Sequence, residues 1–278
     1  MTGAASRLKA WVAPARARAE TWRTAAGFGL AFAAWLATAI GLAVTLDPAG
    51  PMAAALLYLL SFAGMIGGLA LALRRLHRRD LASVVGPAGL TTRPLVLGAA
   101  VAGGVGIATT VPIALTGGAE LRGGLMWLAG AAAALPAVAL QATAEELLFR
   151  GYLQQQLAAR FRSRLVWMLV PAAGFGALHF DPGLGANAWL LVAAAALIGL
   201  AYGDVTAREG DLSAAIGLHV ANNAAAILLL PPAGPLDAFG LWAAPPGAAD
   251  IAEVRAGILG SMAVTAVVWG VYRLLRRG

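Results

Sequence analysis

The stretch TAAGFGLAFAAWLATAIGLAVTL, residues 24–46, contains no charged side chain and is mostly apolar. A bilayer core of about 30 Å requires about 20 apolar residues in a helix, so this run predicts a transmembrane helix. It is too long for a typical signal-peptide core, and no persuasive small-residue cleavage site follows it. We therefore expect it to remain in the mature protein as the first membrane span.

Further apolar runs follow the first one along the chain. Hydrophobic residues make up 60% of the 278 residues and charged residues only 12%, a balance far from that of a water-soluble domain. The runs cover residues 52–73, 94–119, 123–144, 165–180, 182–203, 212–236 and 256–272. Those at 165–180 and 256–272 are at the lower edge of the spanning length. The sequence predicts an all-α polytopic membrane bundle of about eight helices.

The basic residues orient this bundle, because cytoplasmic loops beside membrane helices carry excess Lys and Arg. With the N-terminus inside, eight crossings place every Lys and Arg except Arg122 and Arg255 on the inner side. These inner residues are Arg7, Lys9, Arg16, Arg18 and Arg23; Arg74, Arg75, Arg78, Arg79 and Arg93; Arg150, Arg160, Arg162 and Arg164; Arg208; and Arg273, Arg276 and Arg277. Both termini are therefore predicted to be cytoplasmic.

This asymmetry accounts for most of the net charge of +7. The inner positive charge also attracts anionic lipid. The charge therefore gives no support to a nucleic-acid partner. The chain has no cysteine, which excludes disulfides and Cys-based zinc sites.

The chain divides into a short arm and one membrane domain. Residues 1–23 alternate Arg and Ala around Trp11 and Trp22, which favours a basic arm in the inner headgroup region. Residues 24–278 form a single transmembrane domain, and Gly64 and Gly68 predict close packing between its helices. His77, in the inner loop 74–93, is predicted to be solvated. We find no internal repeat of the kind seen in many secondary transporters.

Few polar groups interrupt the predicted spans, and each is expensive to insert. They lie at the inner end of the fourth helix, near the end of the fifth and within the seventh. They are Glu145, Glu146, Arg150, His179, His219, Asn222 and Asn223.

Helical spacing groups these side chains, because residues four apart lie on one face. Glu146 and Arg150 form such a pair, and His219 and Asn223 form another. An ion pair at a helix end explains the first pair without any chemistry. It does not explain Glu145, which has no basic residue four positions later.

Two kinds of chemistry use this set. A carboxylate near a histidine can deprotonate a water, while His and Asn donate hydrogen bonds to the oxyanion of a tetrahedral intermediate. Alternatively, two imidazoles and one carboxylate are the ligands of a catalytic zinc. The sequence lacks HExxH, so such a zinc site would have to draw ligands from several helices.

Three motifs in order resemble those of a known family. EELLFR (145–150) matches EExxxR, FGALH (175–179) matches FxxxH, and HVANN (219–223) matches HxxxN. This pattern resembles the CAAX prenyl protease and bacteriocin-processing family, also called CPBP or Abi, which includes the type II CAAX prenyl endopeptidases. The resemblance covers residues 124–235, where we place the protease core.

The resemblance implies an intramembrane endopeptidase whose active site opens toward the cytoplasm. By matching positions, Glu145 and His179 would activate water, and His219 and Asn223 would stabilise the oxyanion. Glu146 and Arg150 would support the site. The family has been described both as metalloproteases and as metal-independent glutamate proteases; zinc stays open, although Asn is a poor zinc ligand and favours the metal-free scheme.

The position of His179 conflicts with this arrangement. It lies fifteen residues after Arg164, which is about 22 Å along a helix. That depth would place His179 near the outer face, whereas Glu145 is predicted close to the inner one. Pro171 allows a bend or tilt, and we predict that His179 nevertheless approaches Glu145.

Other functions use the same residues. Glu145, His179 and His219 could form a proton relay in a transporter or channel, or the family motif could persist in a non-catalytic immunity or scaffold protein. For a protease, the expected partners are membrane lipids and a peptide or protein substrate, with or without a lipid group. The Ala-rich composition and the preference for Arg over Lys suggest a prokaryotic cell membrane.

Overall fold

The computed structural model describes residues 3–232, 234–245 and 250–276, and most of these residues are helical. Arg277, which the sequence assigns to the last inner basic group, lies outside the described residues. The helices are α1 Gly3–Val12, α2 Thr21–Thr45, α3 Pro51–Leu60, α4 Phe62–Ala72, α5 Ala82–Val85, α6 Thr92–Thr116, α7 Leu125–Glu146, α8 Gln155–Arg160, α9 Arg164–Ala177, α10 Ala188–Glu209, α11 Ser213–Leu228 and α12 Ile251–Leu275. Two short strands, β1 Glu120–Leu121 and β2 Trp242–Ala243, pair antiparallel.

Six helical stretches in the described part of the chain are long and apolar enough to cross a membrane. They are Thr21–Thr45, Pro51–His77, Thr92–Thr116, Leu125–Arg160, Pro182–Glu209 and Ile251–Leu275. The remaining two predicted runs form the shorter helices α9 and α11. The protein is thus an all-α integral membrane bundle, while eight full crossings and cytoplasmic termini stay predictions.

The fourth predicted helix is longer than the sequence indicated. After α7 the chain continues through the π-helix Leu147–Gln154 into α8, giving 36 residues of continuous helix. Glu146 and Arg150 are 0% and 1% exposed within it. The prediction that this helix ends at Glu145, Glu146 and Arg150 is therefore wrong, while their place on the inner side stays a prediction. An uncharged run marks a helix end only where the charge beyond it reaches water, and here Glu146 and Arg150 pair with each other inside the protein.

Close helix contacts form where small residues face each other. A Cβ added to Gly68 of α4 would lie 2.9 Å from the Cα of Ala31 on α2, and one added to Gly64 would lie 2.7 Å from the carbonyl oxygen of Ala34. The predicted role of Gly64 and Gly68 in helix packing is confirmed. Because lipid offers no hydrophobic drive between helices, such close approach is a main source of association.

The N-terminal segment packs on the protein. Trp11 is 1% exposed and its Nε1 donates to the carbonyl of Val84 at 3.2 Å. Arg7 donates from Nε to the carbonyl of Arg208 at 2.8 Å, at the end of α10. Arg276, just past α12, pairs with Glu209 at the same end. The beginning and the end of the described chain therefore meet at one end of the bundle.

His77 is buried, contrary to the prediction of a solvated loop residue. It is 5% exposed. The π-helix Leu73–His77 extends α4, and the chain turns only after it, at Arg78. Its Nε2 lies 2.8 Å from the hydroxyl of Tyr152, and its Nδ1 lies 2.9 Å from the carbonyl oxygen of Arg18. The flanking arginines made this stretch look hydrated, and only the tertiary contacts show that the imidazole points inward.

Candidate active site

The centre of the site is an imidazole between two adjacent carboxylates. His219 of α11 is buried, with Nδ1 2.7 Å from Oε1 of Glu146 and Nε2 3.5 Å from Oε2 of Glu145. The structure thus brings together three of the residues that the sequence selected, from two different helices. An imidazole held through one nitrogen has a fixed ring orientation and leaves the other nitrogen for chemistry.

Arg150 fixes the inner carboxylate. Its Nη1 lies 2.9 Å from Oε1 of Glu146, one helical turn away. The guanidinium also stacks over the ring of Phe175, with its carbon 4.6 Å from the ring centroid, and lies 5.6 Å from that of Tyr202. The pair is close, yet neither terminal nitrogen of Arg150 is aligned for a hydrogen bond with a described residue. The contact is therefore mainly an ion pair in an aromatic slot.

The two glutamates have different surroundings. The side chain of Glu146 is fully buried, whereas that of Glu145 is 14% exposed. Glu146 has Arg150 and His219 as partners, while Glu145 contacts only the outer nitrogen of His219 among the described ion pairs. Glu145 therefore remains available to a water or a substrate.

A second pair of side chains lies one turn away from the first. Asn223 donates from Nδ2 to Oε1 of Gln141 at 2.9 Å, and Asn222 donates to Oδ1 of Asn223 at 3.2 Å. Gln141 precedes Glu145 by four residues, and Asn223 follows His219 by four, so the same faces of α7 and α11 supply both pairs. Sequence reasoning missed Gln141 because it lies within an uncharged run. Its spacing from Glu145 was the available signal.

His179 lies in the turn after α9. Its Nδ1 is 2.9 Å from the carbonyl oxygen of Phe175, one turn earlier, so this nitrogen is the donor and Nε2 is left as an acceptor. The imidazole lies 4.8 Å from the Phe175 ring, which in turn lies 5.9 Å from the ring of His219. Phe175 therefore connects the two histidines. In the described residues no ion pair or hydrogen bond joins His179 to Glu145, and their approach stays a prediction.

The donor set fits a metal poorly. The described residues contain no cluster of three His, Asp or Glu side chains arranged to hold an ion. Oε1 of Glu146 is already shared by Arg150 and His219, and a guanidinium at 2.9 Å opposes a cation at that oxygen. We therefore derive no step through a metal.

Comparison with known proteins covers the same part of the chain. Residues 126–225 match the family model described as type II CAAX prenyl endopeptidase, Rce1-like. This segment is similar to that family. It contains all six residues that the sequence assigned to the site, from Glu145 to Asn223. The match supports, for this segment, the resemblance to the family and a CAAX-protease-like fold.

Part of the chain also resembles a curated bacterial protein. An uncharacterized protein named YyaK, from Bacillus subtilis (strain 168), is 34% identical over 99 residues, which cover 35% of this chain. The aligned segment spans only 32% of the length of that relative. No solved structure gives a significant match. The likeness to this relative therefore covers about a third of either chain.

Proposed function

We propose that this protein is an intramembrane endopeptidase that hydrolyses a peptide bond with water activated by Glu145. One observation carries the proposal: a buried histidine is clamped between two adjacent carboxylates from another helix, and an arginine neutralises the inner one. Burying several charged groups inside a membrane protein costs free energy. A purely structural ion pair would need only Glu146 and Arg150.

In the proposed reaction, Glu145 removes a proton from a water that the free Nε2 of His179 also holds. The oxygen of that water forms a bond to the scissile carbonyl carbon, and the carbonyl oxygen becomes an oxyanion. His219 and Asn223 donate hydrogen bonds to this oxyanion. Glu145 then returns the proton to the amide nitrogen, and the C–N bond breaks.

The supporting residues set this geometry. The proposed role of His219 needs a hydrogen on each ring nitrogen, one donated from Nδ1 to Glu146 and one from Nε2 to the oxyanion. Asn223 uses one amide hydrogen for Gln141 and keeps the second for the same task. Arg150 holds Glu146 in place. None of these steps needs a metal, so we propose a glutamate-type mechanism.

The substrate is proposed to be a peptide or protein segment near the cytoplasmic membrane face, with or without a lipid group. The basic residues predict that face, and we propose a prokaryotic cell membrane as the location. Cleavage of a panel of substrates determines the size and chemistry of the preferred segment.

The test uses purified protein in nanodiscs and quenched peptides, both prenylated and plain, with and without a chelator. Glu145→Gln and His179→Ala should each lower cleavage by about 100-fold or more, the usual contribution of a general base. Glu120→Gln, on the exposed strand β1, is the matched control and should cleave normally.

The outcomes separate the alternatives. If wild type and variants cleave equally poorly while all remain folded, the protease proposal fails and a binding role gains support. A proton flux that depends on Glu145 would favour the relay instead. Loss of cleavage on chelation, restored by zinc, would overturn the metal-free mechanism.

A further inference from the structure

A second polar region lies at the end of the bundle where α1, α10 and α12 meet. It encloses a cavity of about 250 Å³. The polar side chains that line it are Arg7, Arg208, Glu209, Tyr272, Arg273 and Arg276. The cavity does not include any residue of the Glu145 site. Its walls come from the N-terminal segment and from two membrane-spanning helices.

The acidic groups of this region are already neutralised. Glu209 accepts from Nε and Nη2 of Arg276 at 2.8 and 2.6 Å, a bidentate pair. The hydrogen bond to Glu209 raises the pKa of Arg276, so its guanidinium stays charged at every physiological pH. Asp204, next to the cavity, pairs with Arg208 at 2.9 Å.

The positive charge exceeds what these carboxylates can balance. Asp204 also pairs with Arg164 at 2.8 Å and approaches Arg273 at 3.7 Å. Arg7 takes part in none of the ion pairs among the described residues, and its Nε is committed to a backbone carbonyl. The cavity therefore holds excess guanidinium groups facing one space.

We propose that this cavity binds a phosphate group, carried either by the headgroup of an anionic lipid or by a soluble phosphate. Guanidinium groups match the oxygens of phosphate in charge and in bidentate geometry. Basic pockets between membrane helices at the cytoplasmic side are suited to anionic headgroups. A bound phosphate would join α1 to α10 and α12.

The first experiment measures thermal unfolding of the full-length protein in two settings. Phosphatidylcholine nanodiscs with and without phosphatidylglycerol test the lipid source, and inorganic phosphate added to the protein in neutral detergent tests the soluble source. We expect at least one of them to raise the unfolding temperature, because a ligand that binds the folded state stabilises it. If neither does, the proposal is overturned.

Variants then locate the effect. Arg7→Gln removes one cavity charge without leaving a carboxylate unpaired, and it should weaken binding about tenfold, as for one lost charge-assisted hydrogen bond. Arg74→Gln, at an exposed arginine of the same end of the bundle, loses the same charge outside the cavity and should bind as wild type does. Equal weakening by both variants would indicate general attraction to basic protein and would sink the proposal.

A neutral variant guards against misfolding of Arg7→Gln. Ala4 also lines the cavity, and Ala4→Leu fills the space while leaving every charge in place. It should abolish the stabilisation. Arg7→Lys, which keeps the charge but not the guanidinium, should keep more of the stabilisation than Arg7→Gln does. An unchanged response in Ala4→Leu would show that the phosphate binds elsewhere.

Discussion

Two adjacent glutamates serve different purposes at the level of single residues. Glu146 is fully buried between Arg150 and His219, whereas Glu145 keeps one side open. Removing a partner from a buried ion pair leaves an uncompensated charge, while removing a partly exposed carboxylate does not. Stability and activity should therefore separate between the two positions.

We predict that Glu146→Gln lowers the free energy of unfolding by about 3–5 kcal/mol, since it leaves Arg150 buried without its anion. Glu145→Gln should unfold near the wild-type temperature and lose cleavage instead. Thermal unfolding in nanodiscs, measured beside peptide cleavage, distinguishes the two. Equal loss of stability in both variants would contradict the division of roles.

The pair formed by Gln141 and Asn223 predicts a coupled effect on catalysis. Gln141→Leu removes the acceptor that orients the Asn223 amide. We expect kcat to fall about tenfold, which corresponds to the free energy of one hydrogen bond. Asn223→Ala should fall further, and the double variant should resemble Asn223→Ala alone, because Gln141 acts through Asn223. Additive losses in this double-mutant cycle would show that Gln141 has an independent role.

Single residues also show what a sequence can reveal. The spacing of Glu146 and Arg150 predicted their ion pair correctly, since both lie on one helix and local geometry alone joins them. The partners of Gln141 and His77 lie on other helices, and nothing in the local pattern separates a buried imidazole from a hydrated one. Long-range contacts are the information that residue types and spacing lack.

At the scale of elements, two glycines hold the short helix α9 close to α10. A Cβ on Gly199 of α10 would lie 2.8 Å from the Cα of Ala172, and one on Gly176 of α9 would lie 2.6 Å from the carbonyl oxygen of Val192. Backbone meets backbone at both points. This contact sets where Phe175 and the following His179 lie relative to the carboxylates.

We predict that Gly199→Ala destabilises the protein and lowers cleavage, although alanine is the better helix former. The new methyl group forces α9 away from α10, at a cost of about 1–3 kcal/mol for overpacking. Gly257→Ala, on α12 with open space around the added Cβ, is the control and should gain up to about 1 kcal/mol from helix propensity. Thermal unfolding measures both, and a stabilised Gly199→Ala variant would contradict the close contact.

The element pattern was predictable in outline. Each apolar run of the sequence corresponds to a helix, because hydrophobic runs report burial in lipid or protein directly. Helix ends were less predictable. The run at 123–144 stops at Glu145, yet the helix continues to Arg160, because the charges that follow satisfy one another inside the bundle.

At the scale of the whole molecule, Tyr152 links the N-terminal segment to the core helix that carries the site. It lies two residues after Arg150, and its hydroxyl is 3.1 and 3.2 Å from the carbonyl oxygens of Arg23 and Thr24. The same hydroxyl is 2.8 Å from Nε2 of His77. One buried oxygen thus connects the start of α2, the end of the α3–α4 span and the extension of α7.

Tyr152→Phe should therefore loosen this end of the bundle. Removing the hydroxyl takes away the 2.8 Å contact with Nε2 of the buried His77 and the contacts with the start of α2, which should cost about 1–3 kcal/mol. Thr45→Val is the control, because its exposed hydroxyl bonds only to its own helix, at the carbonyl of Gly41. We expect a lower unfolding temperature and faster amide hydrogen exchange at the start of α2 in Tyr152→Phe alone. Exchange that rises equally throughout the bundle would show that Tyr152 contributes general stability and does not link these particular segments.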